Sequence, residues 1–167
     1  MVRMAEMTAS KAPGDVLVAL GLGSCIGLAL VDDSAGAAAL AHVVLPDSHE
    51  SRGAAAAAKF ADTAVPALVR EAVAVGARRN RLQAILVGGA QMFSVGPKVS
   101  NTMDIGLRNA AAVRRALDAE RIPVLAEVVG GSVGRTIRVY VGTGSVTCKE
   151  AGGAEAEITA TQLRRAA

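Results

Sequence analysis

Cys25 and His42 are the two side chains of this sequence whose surroundings most invite chemistry. Cys25 ends the stretch Leu20-Gly21-Leu22-Gly23-Ser24-Cys25, where small residues crowd a thiol between two apolar runs. His42 stands inside a later run, Leu40-Ala41-His42-Val43-Val44. A thiol beside an imidazole can ionise near neutral pH, and the thiolate is the nucleophile. Glycine suits such a site twice over. It lets a substrate amide come close, and it lets main-chain N–H groups turn toward a developing oxyanion. Gly23 and Ser24 are therefore the expected backbone supports.

The same glycines have other uses. Gly21-Leu22-Gly23-Ser24-Cys25-Ile26 nearly matches a dinucleotide fingerprint, but Ile26 stands where Gly or Ala must let a helix approach the strand. Residues 26–31 also lack the polar face of a surface helix, and no GxxxxGK[ST] motif occurs in the chain. A tight packing turn stays open, because a cysteine between apolar strands is by default an inert core residue. His42 alone reads as a hydrogen-bonded core histidine, His49 as a solvated loop residue and Cys148 as packing. No C-x-x-C or H-x-x-x-H pair is present, so no metal centre is expected.

The elements around the two residues decide whether they meet. Val16–Leu20 reads as a buried strand, Ile26–Val31 as a second, and Ala37–Leu45 as a third that Pro46 closes. Asp32-Asp33-Ser34-Ala35-Gly36 is a turn cluster, making the last two strands a hairpin. Antiparallel partners have a constant index sum, here about 67–69 for a turn near Ser34. A sum of 67 sets Cys25 opposite His42, and 69 makes them diagonal neighbours on one face, about 5–8 Å apart. A slip of one residue sends them to opposite faces.

Farther on, the Ala-rich segment Arg52–Ala77 reads as a helix kinked near Pro66 and stopped at Gly76. A strand over Leu82–Val87 ends at Gly88-Gly89, and Gln91–Thr102 reads as loop. Asp104 is a possible cap for a helix running to Glu120, before Pro123. Val124–Val129, Thr136–Val141 and Ser145–Lys149 read as short strands. The order β-β-β-α-β-α-β-β-β fits a mixed-sheet α/β sandwich with flanking helices better than a doubly wound parallel sheet. One domain is expected over residues 1–150, and 151–167 reads as a tail that is flexible or forms a short terminal helix.

Composition narrows the partners. The chain has 167 residues, is 51% hydrophobic and only 2% aromatic, so its core is built from Ala, Val, Leu and Ile. A net charge of +3 is scattered rather than clustered, and with no Trp, one Tyr and two Phe base stacking has little to work with. Nucleic-acid binding is not expected. The N-terminus shows no secretory signal, and the uncharged stretch Val16–Val31, unsurpassed in length in the chain, is too short to span a bilayer. A soluble cytoplasmic protein with free thiols, without membrane insertion, is the expectation.

Five stretches in order, GLGSCIGLALVDD, AHVVLPDS, VGGAQMF, IGLRN and IPVLAEVVGGSVGR, resemble the chemoreceptor glutamine deamidase family, CheD, over roughly Val16–Lys149. The resemblance implies an α/β sandwich related to toxin-type cysteine deamidases. It implies hydrolysis of particular glutamine side chains on methyl-accepting chemotaxis receptors to glutamate, with no metal or organic cofactor. By motif, the GSC cysteine is Cys25 and the H-x-x-LP histidine is His42. It also implies a second role, binding and regulating the phosphatase CheC. The family commonly carries a threonine six residues before the cysteine as a third catalytic member, and Ala19 stands there instead. Another group must then orient His42, with Asp15, Gln91 and Asn101 as candidates, or catalysis is weakened.

Overall fold

The computed structural model describes residues 1–49, 51, 53–91 and 105–158. In chain order these form β1 (Met7–Ser10), β2 (Val16–Leu22), β3 (Ile26–Asp32), β4 (Ala37–Val43), α1 (Ala61–Ala74), β5 (Gln83–Gly88), α2 (Ile105–Glu120), β6 (Val124–Val129), β7 (Arg135–Tyr140), β8 (Val146–Glu150) and β9 (Glu155–Glu157). The strands make a five-stranded mixed sheet, ordered β1-β4-β3-β5-β6, and a four-stranded sheet, β2-β7-β8-β9. The expected mixed-sheet α/β sandwich is the architecture found.

Three layers result. Even-numbered positions of β3 and odd-numbered positions of β4, such as Leu28, Leu30, Ala39 and Ala41, pack with α1 and α2 through Val65, Leu68, Val113 and Leu117. The alternate positions Ala29, Val31, Ala38 and Leu40 pack with Leu17, Ala19, Leu22, Ile137 and Val139 of the second sheet. Every residue of β3 and β4 is buried, which is why both read as unbroken apolar runs rather than alternating ones.

The hairpin register follows from its turn. Asp32 Oδ1 accepts from Ala35 N at 3.1 Å, and Gly36 takes a left-handed φ of 62° to return the chain. Asp32 also accepts from Arg78 N and from the Arg81 guanidinium, tying the turn to the approach to β5. Burial pushes the Asp32 carboxyl up, but these donors together outweigh it and hold its pKa below the usual carboxylate value. Pairing runs from Ile26–Val43 through Gly27–His42 to Asp32–Ala37, an index sum of 69.

Some expected bounds move. The helix expected from Arg52 begins at Ala61, after a 3-10 turn over Ala57–Lys59, and continues through Pro66. Residue 52 itself lies outside the described residues, as do Asp104, the loop over 92–102 and residues 159–167. Met7–Ser10 adds an edge strand on β4, where the sequence reading placed no element. Glu155–Glu157, within the expected tail, pairs with β8 as an edge strand rather than forming a helix. Its three residues are exposed and polar or small, so nothing in their pattern marks a strand.

Candidate active site

Cys25 lies one residue before β3, at the end of the hairpin opposite its turn. Its side chain packs with the inter-sheet cluster and is partly exposed. His42 shares its strand parity with Ala38 and Leu40, both in that cluster, and is almost wholly buried. Gly27 faces His42 directly, and Cys25, two residues earlier and just past the last rung, packs on the same inter-sheet face. Cys25 is partly exposed, whereas His42 is buried.

The turn that carries Cys25 is shaped by a bulge. β2 pairs Ala19 with Ile137 and Leu22 with Arg135, one residue out of step, and Gly21 in between adopts φ 66°. Gly23 N donates to Gly21 O at 2.9 Å, so the Gly23 N–H is committed within the turn. Three consecutive carbonyls then face donors from other segments. Gly23 O accepts from Ala90 N at 2.8 Å, Ser24 O from Asn109 Nδ2 at 2.8 Å, and Cys25 O from Gly89 N at 2.9 Å. The N–H groups of Ser24 and Cys25 donate to no acceptor among the described residues.

The Gly88-Gly89 turn comes so close that no side chain fits. A Cβ on Gly88 would lie 2.2 Å from Cys25 O, and one on Gly106 of α2 would lie 2.4 Å from Gly89 O. Arg135, itself buried, fixes the same turn by donating to Gly88 O and Gly130 O while its other amine pairs with Glu150. In the sequence, VGG and GGSVGR stand out as strand-ending glycines and as parts of two family-like stretches, with no sign of this close approach. The motif residues Arg135 and Asn109 carried no periodic or spacing signal that separates a structural tie from a solvated polar group.

Electrostatically the pair rests neutral. Burial pushes the Cys25 thiol up and the His42 imidazole down, each disfavouring its charged form. The Val2 main chain pulls the histidine the other way without outweighing burial. Neither His42 nitrogen has a hydrogen-bond partner among the described residues. Asp15 therefore does not hold it. That carboxylate accepts from Ser10 Oγ at 2.5 Å, at the far end of β2. Gln91 is exposed with its N–H on Gly131 O, and Asn101 lies outside the described residues. Ala19 is fully buried in the inter-sheet cluster that His42 faces and offers only a methyl group there.

The remaining sequence candidates lie elsewhere. Cys148 is buried on β8, and burial pushes its thiol up. His49 is exposed on the loop after β4, with Nδ1 3.2 Å from Asp47 Oδ1. Its grouping with Asp47 and Asp62 is exposed throughout, and Asp62 is already engaged by Ser48. No described helix is long and apolar enough to cross a membrane.

Residues 44–150 match the family model described as CheD chemotactic sensory transduction. Among curated relatives, one from Moorella thermoacetica is 44% identical over 151 residues, 90% of each chain. One from Geobacillus kaustophilus is 45% identical over 151 residues, 90% of this chain and 91% of its own. A third, from Symbiobacterium thermophilum, is 44% identical over 158 residues, 94% of this chain and 95% of its own. Each bears the name probable chemoreceptor glutamine deamidase CheD. The family match begins two residues past His42, but alignments this long within 167 residues also take in positions 25 and 42.

Proposed function

Because this chain belongs to the CheD family, we propose that it deamidates specific glutamine side chains of chemotaxis receptors, with Cys25 as nucleophile and His42 as its acid–base partner. The observation that carries this reading is the placing of a reachable thiol and a buried imidazole on one face. His42 takes the Cys25 proton as sulfur attacks the carboxamide carbon. The tetrahedral oxyanion forms near the N–H groups of Ser24 and Cys25, which have no acceptor among the described residues, on the turn that Gly23 shapes. Collapse breaks the C–N bond, His42 protonates the departing amine, and ammonia leaves. Water then hydrolyses the thioester to glutamate and restores the thiol. The scheme needs no metal or cofactor.

A protein substrate suits the surface. Leu20, Val133 and Leu107 are exposed apolar side chains on three segments tied to the Cys25 turn: the β2 bulge, the loop before Arg135 and the first turn of α2. A chemotaxis-receptor substrate supports action on the cytoplasmic side. The test is ammonia release from a cognate receptor fragment. Wild type is expected to release it in step with glutamate formation, and Cys25→Ala to release none above background.

A second reading rests on Ala19 and on the His42 ring, which has no partner among the described residues. With no hydroxyl to orient the imidazole, catalysis is slower, and binding to the CheC phosphatase through the same surface becomes the main role. A pull-down with the phosphatase of the same organism tests it; no complex removes this reading.

A further inference from the structure

β3 and β4 part company just beyond the Ile26–Val43 rung. With an index sum of 69, the next rung would join Cys25 to Val44. Val44 instead donates its N–H to Lys59 O at 3.1 Å, and Leu45 does the same at 2.9 Å, so the β4 side of the fork turns toward the segment before α1. The Cys25 side turns toward the Gly88-Gly89 turn. Into the opening comes one side chain from α2. Asn109 is fully buried, and its Nδ2 donates to Ser24 O at 2.8 Å and to Val44 O at 2.9 Å, one strand each.

Few side chains can do this. The carboxamide is uncharged and compact, and it offers two N–H donors from one nitrogen. Aspartate has no donor when ionised, serine has one, and arginine or lysine would bring a charge into a buried site. Asn109 Oδ1 is buried without a partner among the described residues, so the amide is not there to satisfy its own oxygen. What it gains is the bridge.

The consequence reaches the reacting atoms through one peptide plane. In a trans peptide the carbonyl of one residue and the N–H of the next point in opposite directions. No cis peptide occurs among the described residues, and Ser24 O is drawn to Asn109. The N–H of Cys25 must then point away from Asn109. That N–H has no acceptor of its own among the described residues. We propose that Asn109 is a positioning residue for deamidation, locking the Ser24–Cys25 peptide so that the Cys25 N–H is aimed at the oxyanion. The proposal rests on the reading of Cys25 as nucleophile.

The experiment compares wild type with Asn109→Ser and Asn109→Asp on a receptor fragment. It includes a receptor peptide in which the target carboxamide is replaced by an aldehyde. The aldehyde adds the Cys25 sulfur to give an adduct whose oxygen occupies the oxyanion position. Loss of one oxyanion donor costs about 10²–10³ in kcat in comparable sites. Both variants are expected to lose kcat on that scale, with KM within about twofold. They should also bind the aldehyde weakly in proportion, while iodoacetamide alkylates Cys25 at an unchanged rate, since that displacement builds no oxyanion. Variants that keep wild-type kcat and aldehyde affinity overturn the proposal, and so do variants in which KM rises as far as kcat falls. If neither variant folds, the wild-type Cys25 amide proton decides. It should move downfield in the aldehyde adduct, and an unmoved resonance refutes the proposal. Failure of the underlying reading looks different, since Cys25→Ala would then still deamidate.

Discussion

Gly27 stands directly opposite His42 in the β3–β4 ladder, and that pairing sets the whole site. A side chain at position 27 would point to the same face as the imidazole and Cys25. Its Cβ would meet Leu22 Cδ1 at 2.7 Å and Ile137 Cγ2 at 2.9 Å, so the second sheet closes over the glycine without a gap. Gly27→Ala is therefore expected to destabilise the fold by about 1–3 kcal/mol through overpacking. Urea unfolding measures it. A change within error would show that the space over Gly27 is slack and that the glycine is not required by packing.

The resting pair is neutral, and this fixes how Cys25 responds to pH. Burial raises the thiol and lowers the imidazole, so no thiolate–imidazolium pair waits in the free protein. Alkylation of Cys25 by iodoacetamide is expected to climb steadily with pH, still rising at the ordinary thiol pKa of about 8.5. A rate that is already level below neutrality would mean a preformed ion pair and contradict this.

His42 also makes the fold sensitive to mild acid. Its folded pKa lies below the unfolded value of about 6.5, so below that pH the unfolded chain binds more protons. The stability from keeping the ring neutral is fully present above about pH 6.5 and is lost as pH falls through the folded value. The loss is at most about 1.4 kcal/mol per pH unit. His42→Leu removes this dependence and, having no unpaired ring nitrogens, is expected to match or exceed wild-type stability at pH 5. Denaturant midpoints at pH 7 and pH 5 for both proteins check it. Parallel losses in the two would clear His42. Asp32 titrates in a separate window, since its lowered pKa puts its contribution at risk only in stronger acid.

Ala19 is the position where adding an atom should help. It is buried in the same inter-sheet cluster that His42 faces, and the ring has no partner among the described residues. Ala19→Thr is expected to raise kcat about tenfold with KM unchanged, by giving the imidazole a hydroxyl to orient it. An unchanged or lower kcat would show that orientation of His42 does not limit the rate.

Much of this site is legible in the sequence, and the reason is local. Asp32, Ser34 and Gly36 fix a short turn, a short turn fixes register, and register puts Cys25 and His42 on one face. The choice between the two allowed sums was not readable, because it depends on Asp32 capping Ala35 and on Gly36 turning left-handed. The edge strands β1 and β9 were missed because each is short and gains its pattern from the neighbour it pairs with. Asn109 and Arg135 were invisible as ties. Asn109 ties to the Ser24 and Val44 carbonyls and Arg135 to that of Gly88, all distant in sequence, and a carbonyl leaves no mark in residue type.

The central claim is that the Cys25 sulfur attacks the receptor carboxamide. The most direct measurement is an acid-quenched single turnover with a cognate receptor fragment, mapped by mass spectrometry. The account predicts a transient adduct joining the target side chain to Cys25, followed by a product heavier by about 1 Da as the amide becomes a carboxylate. Glutamate formation by Cys25→Ala at the wild-type rate, with no adduct at Cys25 in wild type, would contradict it.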